Sequence, residues 1–161
     1  MIESLDKLKR HLDYQFGDET LLETALTHRS VTQNNNERLE YLGDAVLGMV
    51  IAEELFKRFP KANEGELSRL RASPVKGDTL AKISLSVSLG DVIRLGQGEW
   101  KSGGFRRKSI LADAFEAILG AIYLDGGFES CRRIILEQFS SRLDKASPET
   151  AEKDPKTRLQ E

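Results

Sequence analysis

The chain has 161 residues, of which 39% are hydrophobic and 31% are charged, and its net charge is −2. These values predict one globular domain with a sizeable core and exclude wholesale disorder, a membrane span and a signal peptide. The negative charge excludes nucleic-acid binding by bulk positive charge, so such binding would need a local basic patch or metal ions. The single cysteine, Cys131, excludes a disulfide framework and a cysteine-based zinc site, and fits a reducing cytoplasm.

Apolar residues recur at helical spacing through the first half of the chain, which predicts successive helices. The predicted helices are residues 2–12, a short helix capped by Asp18 or Thr20, residues 37–59, and a helix capped by Asn63. Pro74 is predicted to interrupt the last of these and to start a new helix that runs to about Ser88, with Gly90 as its stop.

The second half begins with a glycine-rich basic segment, residues 96–108, which is predicted to be a loop. Ser109 is predicted to cap the most apolar helix, which ends at Gly126 and Gly127. A last helix is predicted over residues 128–143, and the charged residues 144–161 are predicted to be a linker. No strand is predicted, so the fold class is all-α.

Two predicted helices carry carboxylates inside apolar runs. The only charged residues of the run in the third helix are Glu40 and Asp44, and those of the helix after Ser109 are Asp113 and Glu116. Spacings of four and three residues place each pair on one helix face. A helix that is apolar all round is normally buried, so both pairs are predicted to lie in a buried setting.

Converging carboxylates need protons or cations, because two of them about 4 Å apart repel by roughly 4 kcal/mol at an effective dielectric of 20. One alternative is that the acids pair with arginines such as Arg38 or Arg69. Two acid pairs, with Glu37 extending the first face, favour a hard-metal site for Mg²⁺, with Mn²⁺ able to substitute. A di-iron site is disfavoured because His11 and His28 lie in neither acid pair.

The basic segment at residues 96–108 reads GQGEWKSGGFRRK, in which glycines allow close backbone approach and cations suit phosphates. The alternative is an ordinary solvated loop. Phosphate binding is favoured only if the segment lies beside an acidic metal site. No nucleotide-binding fingerprint is present, so no nucleotide cofactor is predicted. The candidate phosphate-binding residues are Lys101, Arg106, Arg107 and Lys108.

Four blocks together resemble the ribonuclease III family. NERLEYLGDAVL at residues 36–47 is similar to the family signature, and ALTHRS, NEGELSRLRA and SILADAFEAILGAIYLDGGF agree in order and spacing. The resemblance covers about residues 2–143 and implies an all-helical endonuclease domain, at residues 1–143, that works as a homodimer. It implies hydrolysis of double-stranded RNA by Mg-activated water, in processing of ribosomal and other RNA precursors. Products would carry 5′-phosphate and 3′-hydroxyl ends with short 3′ overhangs.

The resemblance also implies roles for individual residues. Glu40, Asp44, Asp113 and Glu116 match the metal-binding carboxylates, with Asp44 and Glu116 as the catalytic pair. Glu37 and Glu64 match two further acids near the cleft, which have less direct roles. Tyr41 resembles a knob that fits a socket on the partner subunit.

Further expectations concern the neighbours of these residues. Gly43 is predicted to allow close backbone packing, because glycine inside a helix costs roughly 1 kcal/mol relative to alanine. Asn36 and Arg38 are predicted to position the glutamates by hydrogen bonding, and His28 is predicted to be structural. The family more often has leucine where Pro74 stands, which affects local helix geometry.

The last residues of the chain bear on its domain organisation and on the alternative functions. Residues 153–161 resemble the junction to a double-stranded-RNA-binding domain, so 144–161 are predicted to be a linker plus the first residues of that missing domain. The alternative function is a catalytically silent dimeric RNA-binding module, which retention of all four acids disfavours. The signature block disfavours a third possibility, an all-α nucleotide pyrophosphohydrolase. The tail disfavours a fourth, a compact relative that lacks the RNA-binding domain.

Overall fold

The computed structural model of the chain describes residues 2–151, and within that range every regular element is helical. The α-helices there are α1 Ile2–Leu12, α2 Glu19–Ala25, α3 Glu37–Arg58, α4 Glu64–Val75, α5 Gly77–Ser86, α6 Gln97–Lys101, α7 Lys108–Gly126, α8 Phe128–Lys145 and α9 Pro148–Ala151. Two 3₁₀ turns, Leu89–Asp91 and Gly104–Arg106, complete the set. An isolated bridge between Thr27 and Arg94 is the one β-type pairing found within residues 2–151. The all-α prediction is confirmed.

Helix α7 is the centre of the molecule. Helices α2, α3, α5 and α8 pack against it, and nearly all of its residues from Ile110 to Ile122 are buried. Phe115 of α7 meets Phe139 of α8 with ring centroids 6.5 Å apart. The prediction that the most apolar helix is buried all round is therefore confirmed.

Two glycines set the distance between α3 and α7. A Cβ added to Gly43 of α3 would overlap the backbone carbonyl oxygen of Glu116, and one added to Gly120 of α7 would overlap that of Leu39. The two helices therefore cross with backbone against backbone at this point. The predicted reason for Gly43 is confirmed, and the crossing lies beside the acids that both helices carry.

Helix α3 departs from the prediction of burial all round. Tyr41 is 81% exposed, Met49 58% and Phe56 70%, while Leu47 and Ile51 on the opposite face are fully buried. The apolar side chains thus form two faces, one in the core and one open to solvent. Both faces have low polarity, so the hydrophobicity of the sequence does not show which face is buried in the core and which is exposed to solvent.

Helix boundaries confirm some of the predicted caps and correct others. Asp18 caps α2, and Asn63 forms a capping box with Glu66 at the start of α4. The predicted stop at Gly90 is wrong, because α5 already ends at Ser86 and Gly90 lies within the following 3₁₀ turn.

Pro74 lies within the last turn of α4 rather than starting a helix, because proline there loses only its own N–H bond and its ring is buried. The break falls at Lys76, whose backbone is extended.

The predicted loop at residues 96–108 and the predicted cap at Ser109 were also wrong. The segment folds into α6 and a 3₁₀ turn because Trp100 and Phe105 pack together, with ring centroids 4.6 Å apart. Ser109 lies inside the first turn of α7, which already closes through the bond from the Leu111 N–H to the Arg107 carbonyl at 3.1 Å.

The end of the described region continues the helical fold. Helix α8 extends to Lys145, and α9 contacts α4. The part of the predicted linker at 152–161, with the resemblance to a following domain, lies outside the described residues. No helix in the described range combines the length and low polarity needed to cross a membrane.

Candidate metal centre

Three of the sequence-predicted acids meet where α3 crosses α7, and Asp44 lies beside them. Single carboxylate oxygens of Glu40, Asp113 and Glu116 all lie within 4.8 Å of one another. Asp44 is exposed, contrary to the predicted buried setting of both acid pairs, but its carboxyl group lies close enough to raise the pKa values of Glu40 and Glu116. The glycine-mediated crossing of the two helices is what brings the two pairs together. We call these four residues the acid cluster.

Glu116 is the most deeply placed acid of the cluster. Glu116 is only 7% exposed, and its Oε2 atom is buried without a hydrogen-bond partner. An unsatisfied buried polar atom costs about 1–3 kcal/mol, and more when it is charged. A cation bound to Oε2 would supply the missing partner, and an all-oxygen donor set suits a hard divalent metal. The residues present therefore fit such a metal.

The cluster binds protons tightly when no cation neutralises it. Burial and the neighbouring Asp44 carboxyl raise the pKa of Glu116 to about 9. Burial and Asp113 raise the pKa of Glu40 to about 7, with smaller contributions from Glu37 and Asp44. Burial also raises the pKa of Asp113, an effect that its hydrogen bond to Glu40 partly offsets. Near neutral pH the site therefore needs either protons or a cation.

The alternative of ion pairing with arginine fails for the described residues. Arg38 is exposed and forms no ion pair there, and the Nε atom of Arg69 is buried without a hydrogen-bond partner. The basic side chains near the cluster are instead His28 and Arg29, both of which lower the pKa of Asp113. Sequence reasoning missed Arg29, since it lies in the α2–α3 loop with no helical spacing to the acids.

His28 is held in place by its own loop, which is consistent with the structural role predicted for it. Its Nδ1 atom accepts the backbone N–H of Ser30 at 3.1 Å and lies 2.7 Å from the Ser30 hydroxyl. The backbone N–H of His28 donates to the Arg94 carbonyl at 3.0 Å. The loop is thereby fastened beside Asp113.

The other predicted neighbours of the cluster are placed differently. Glu37, exposed in the first turn of α3, is close enough to raise the pKa of Glu40. Glu64 is exposed in the first turn of α4 and forms no hydrogen bond or ion pair with a described residue. The predicted contact of Asn36 with the glutamates is wrong: its buried amide donates to the Ala25 carbonyl at 3.1 Å and fastens α2 to α3. Arg38 likewise forms no hydrogen bond with them.

The basic segment carries four exposed cations, two of which already have partners. Arg107 pairs with Glu99 at 2.8 Å, and Lys108 pairs with Asp78 at 3.6 Å. The other two form no ion pair within residues 2–151 and are therefore available to an anionic ligand; they are Lys101 and Arg106.

Comparisons with known proteins agree with this geometry. The model of a family described as Ribonuclease-III-like matches residues 18–143. The chain belongs to the ribonuclease III family. Members of this family are endoribonucleases that hydrolyse double-stranded RNA, and the chain is a hydrolase of that class.

Individual relatives show how much of the family protein the chain spans. It is 57% identical to Ribonuclease 3 of Vibrio vulnificus (strain YJ016) over all 161 residues, which is 72% of that protein's length. It is 62% identical to Ribonuclease 3 of Marinomonas sp. (strain MWYL1) over 155 residues, 96% of this chain and 68% of that relative.

Solved structures of the family share the fold. The nuclease domain of ribonuclease III from Campylobacter jejuni, described for flexibility in a region involved in dimer formation, has a TM-score of 0.84 and 48% identity. That match covers 87% of this chain and 99% of the other. Dicer from Pichia stipitis has a TM-score of 0.64 and 26% identity, over 81% of this chain and 58% of that one.

Proposed function

We propose that the acid cluster holds Mg²⁺, with Mn²⁺ able to substitute, and that this site cleaves double-stranded RNA. The single observation that carries the proposal is the buried Oε2 atom of Glu116, which has no hydrogen-bond partner although Glu116 belongs to a group of three converging acids. A bound Mg²⁺ would neutralise the cluster, stabilise charge on a phosphodiester and lower the pKa of a coordinated water.

Each acid has a part that follows from its position. Asp44 and Glu116, one from each helix and close enough for Asp44 to raise the pKa of Glu116, are the proposed catalytic pair that hold the metal toward the substrate. Glu40 and Asp113, which have carboxylate oxygens within 4.8 Å of one of Glu116, complete the proposed oxygen ligands. Glu37 and Glu64 are proposed to act indirectly at the cleft, and nucleophilic side chains are not needed.

Water as nucleophile leads to the proposed products. Attack by water on phosphorus that displaces the 3′-oxygen leaves a 5′-phosphate on one fragment and a 3′-hydroxyl on the other. With one acid cluster per subunit, a homodimer would cut each strand once and leave short 3′ overhangs. The alternative, a silent dimeric RNA-binding module, would have no use for four carboxylates gathered at this energetic cost.

The stability of the metal-free protein tests the proposed metal site. The pKa values of Glu40 and Glu116 in the fold, about 7 and about 9, exceed the usual 4.5, so the fold binds protons more tightly than the unfolded chain does. Stability should therefore be highest near pH 5 and fall as pH rises toward 9. Thermal unfolding in chelator should show this decline, and Mg²⁺ should reverse it at pH 8–9.

Two controls sharpen that measurement. Glu116→Gln should flatten the upper part of the decline, whereas Glu129→Gln, an exposed acid without a described partner, should leave it unchanged. A melting temperature that stays constant or rises from pH 5 to 9 in chelator would contradict the assignment.

We propose that the open face of α3 joins two copies of this chain. The face consists of apolar residues at helical spacing, namely Tyr41, Ala45, Met49, Ala52 and Phe56. Tyr41 and Phe56 lie equally far from its midpoint, so the face matches a second copy of itself when two α3 helices run antiparallel about a two-fold axis. Tyr41 then fits the end of the face that contains the partner subunit's Phe56.

Tyr41→Ala should weaken the dimer strongly. Loss of an aromatic contact worth about 1.5 kcal/mol in each of two symmetric positions raises the dissociation constant by roughly 100-fold. Sedimentation equilibrium measures this change, and Phe56→Ala should have a comparable effect. The matched control is Leu124→Ala, which removes a half-exposed leucine from α7. Equal dissociation constants for wild type and Tyr41→Ala would refute the proposed face.

The remaining assignments are proposals of the same kind. Residues 1–143 are the proposed catalytic domain and 144–161 the proposed linker to an RNA-binding domain. RNA-backbone phosphates are the proposed partners of four cations, which are Lys101, Arg106, Arg107 and Lys108. Processing of ribosomal and messenger RNA precursors is the proposed role. A cytoplasmic location suits Cys131, whose buried thiol forms no disulfide.

A further inference from the structure

A half-exposed tryptophan lies among the basic residues that precede α7. Trp100, the only tryptophan of the chain, is 51% exposed. One face of its indole rests on the Phe105 ring, with centroids 4.6 Å apart and ring planes inclined by 34°. About half of the Trp100 surface is therefore accessible to solvent within a charged segment.

Positive charge flanks this aromatic pair. The guanidinium carbon of Arg106 lies 5.1 Å from the centre of the Phe105 ring, and Lys101 directly follows Trp100 in α6. These two cations are the ones that form no ion pair within the described range, whereas the other two cations of the segment each contact a carboxylate. A ligand with a flat ring between two anionic groups complements this arrangement.

The segment that contains Trp100 and Phe105 is connected to the surroundings of the acid cluster at both of its ends. Upstream, the Gly96 N–H donates to the Ser30 hydroxyl oxygen at 2.8 Å, and Ser30 binds the His28 ring that lies beside Asp113. Downstream, α7 begins at Lys108, five residues and so ~7.5 Å of helix before Asp113. Both ends of the segment that carries Trp100 are therefore anchored next to the acid cluster.

We propose that Trp100 and Phe105, flanked by Lys101 and Arg106, form a stacking site for one unpaired base of the RNA substrate. A paired base inside a helix has both ring faces covered by its neighbours, so only an unpaired base can present a face to the indole. Stacking on an aromatic side chain is sequence-tolerant, and the two cations suit the phosphates on either side of that base. The inference rests on the proposed function, because it requires RNA at the acid cluster.

Two duplexes with identical ends test the site, one fully paired and one with a single unpaired nucleotide at its centre. Binding is measured with Ca²⁺ in place of Mg²⁺, both as affinity and as fluorescence of the single tryptophan. The duplex with the unpaired nucleotide should bind about tenfold more tightly and should quench the fluorescence more. Trp100→Leu should bring the ratio of the two affinities close to one, while Trp100→Phe should retain most of the preference.

The outcomes separate this inference from the proposed function. Equal affinities of the wild type for the two duplexes, with unquenched fluorescence, would overturn the stacking site even if both RNAs are cleaved with Mg²⁺. Absence of cleavage of either RNA with Mg²⁺ would instead count against the proposed function. A fluorescence change that follows protein concentration rather than RNA would assign Trp100 to a contact between subunits and also overturn the site. Melting temperatures of both variants show whether a lost preference reflects a lost fold.

Discussion

Glu116→Gln should lower the rate of RNA cleavage by about 10³-fold and, at the same time, stabilise the metal-free protein at pH 8. Removal of a charged ligand costs several kcal/mol of charge stabilisation in the reaction, which corresponds to about three decades in rate. The amide keeps the shape of a protonated carboxyl group, and a protonated group is what burial already favours at Glu116. Cleavage of a long duplex in Mg²⁺ and thermal unfolding in chelator measure the two effects.

The opposite signs of the two effects make this prediction specific to a cation site. If Glu116 were purely structural, its replacement by glutamine would make the protein less stable. Added Mg²⁺ would then have no effect on the stability of either protein. Glu129→Gln provides the control for a change of charge at an exposed site. A Glu116→Gln protein that cleaves at the wild-type rate in low Mg²⁺ would remove Glu116 from the metal ligands.

Gly43→Ala should destabilise the protein by at least ~3 kcal/mol, because its methyl group has no space between α3 and α7. The new Cβ would overlap the Glu116 carbonyl oxygen and also crowd the Gly120 nitrogen, and both are backbone atoms that move only with their helix. The melting temperature should fall by about 10 °C. Separation of the two helices would also separate the acid pairs, so cleavage should fall by more than the loss of folded protein explains.

Gly77→Ala is the matched control for this effect. Gly77 begins α5, and a Cβ built there meets no atom within 4 Å, so the same methyl group should change stability by less than ~0.5 kcal/mol. Thermal unfolding and cleavage assays on both variants compare a glycine at a helix crossing with a glycine in open space. A Gly43→Ala protein with the melting temperature and activity of the wild type would contradict the close crossing of α3 and α7.

The sequence alone predicted the acid cluster because the carboxylates interrupt apolar runs. Helical spacing placed Glu40 with Asp44 and Asp113 with Glu116, and the low polarity around them indicated burial. Periodicity does not show that the two pairs converge, which depends on the Gly43–Gly120 crossing in three dimensions.

The errors have equally local causes. Pro74 is compatible with the end of a helix as well as with its beginning, and only tertiary packing of its ring decides between the two. The segment that contains Trp100 was predicted as a loop because its glycines outweighed the one aromatic contact that folds it. The open face of α3 was predicted to be buried, since residue composition does not distinguish an exposed apolar face from one in the core.

Anomalous diffraction from crystals grown with Mn²⁺ at pH 8 tests the central claim most directly, because it locates the metal without reference to activity. We predict one or more strong peaks at the acid cluster, with carboxylate oxygens of Glu40, Asp113 and Glu116 among the ligands at about 2.0–2.2 Å. The peaks should weaken or vanish in Glu116→Gln. Mn²⁺ peaks found only elsewhere in the protein, with none at the acid cluster, would contradict this prediction.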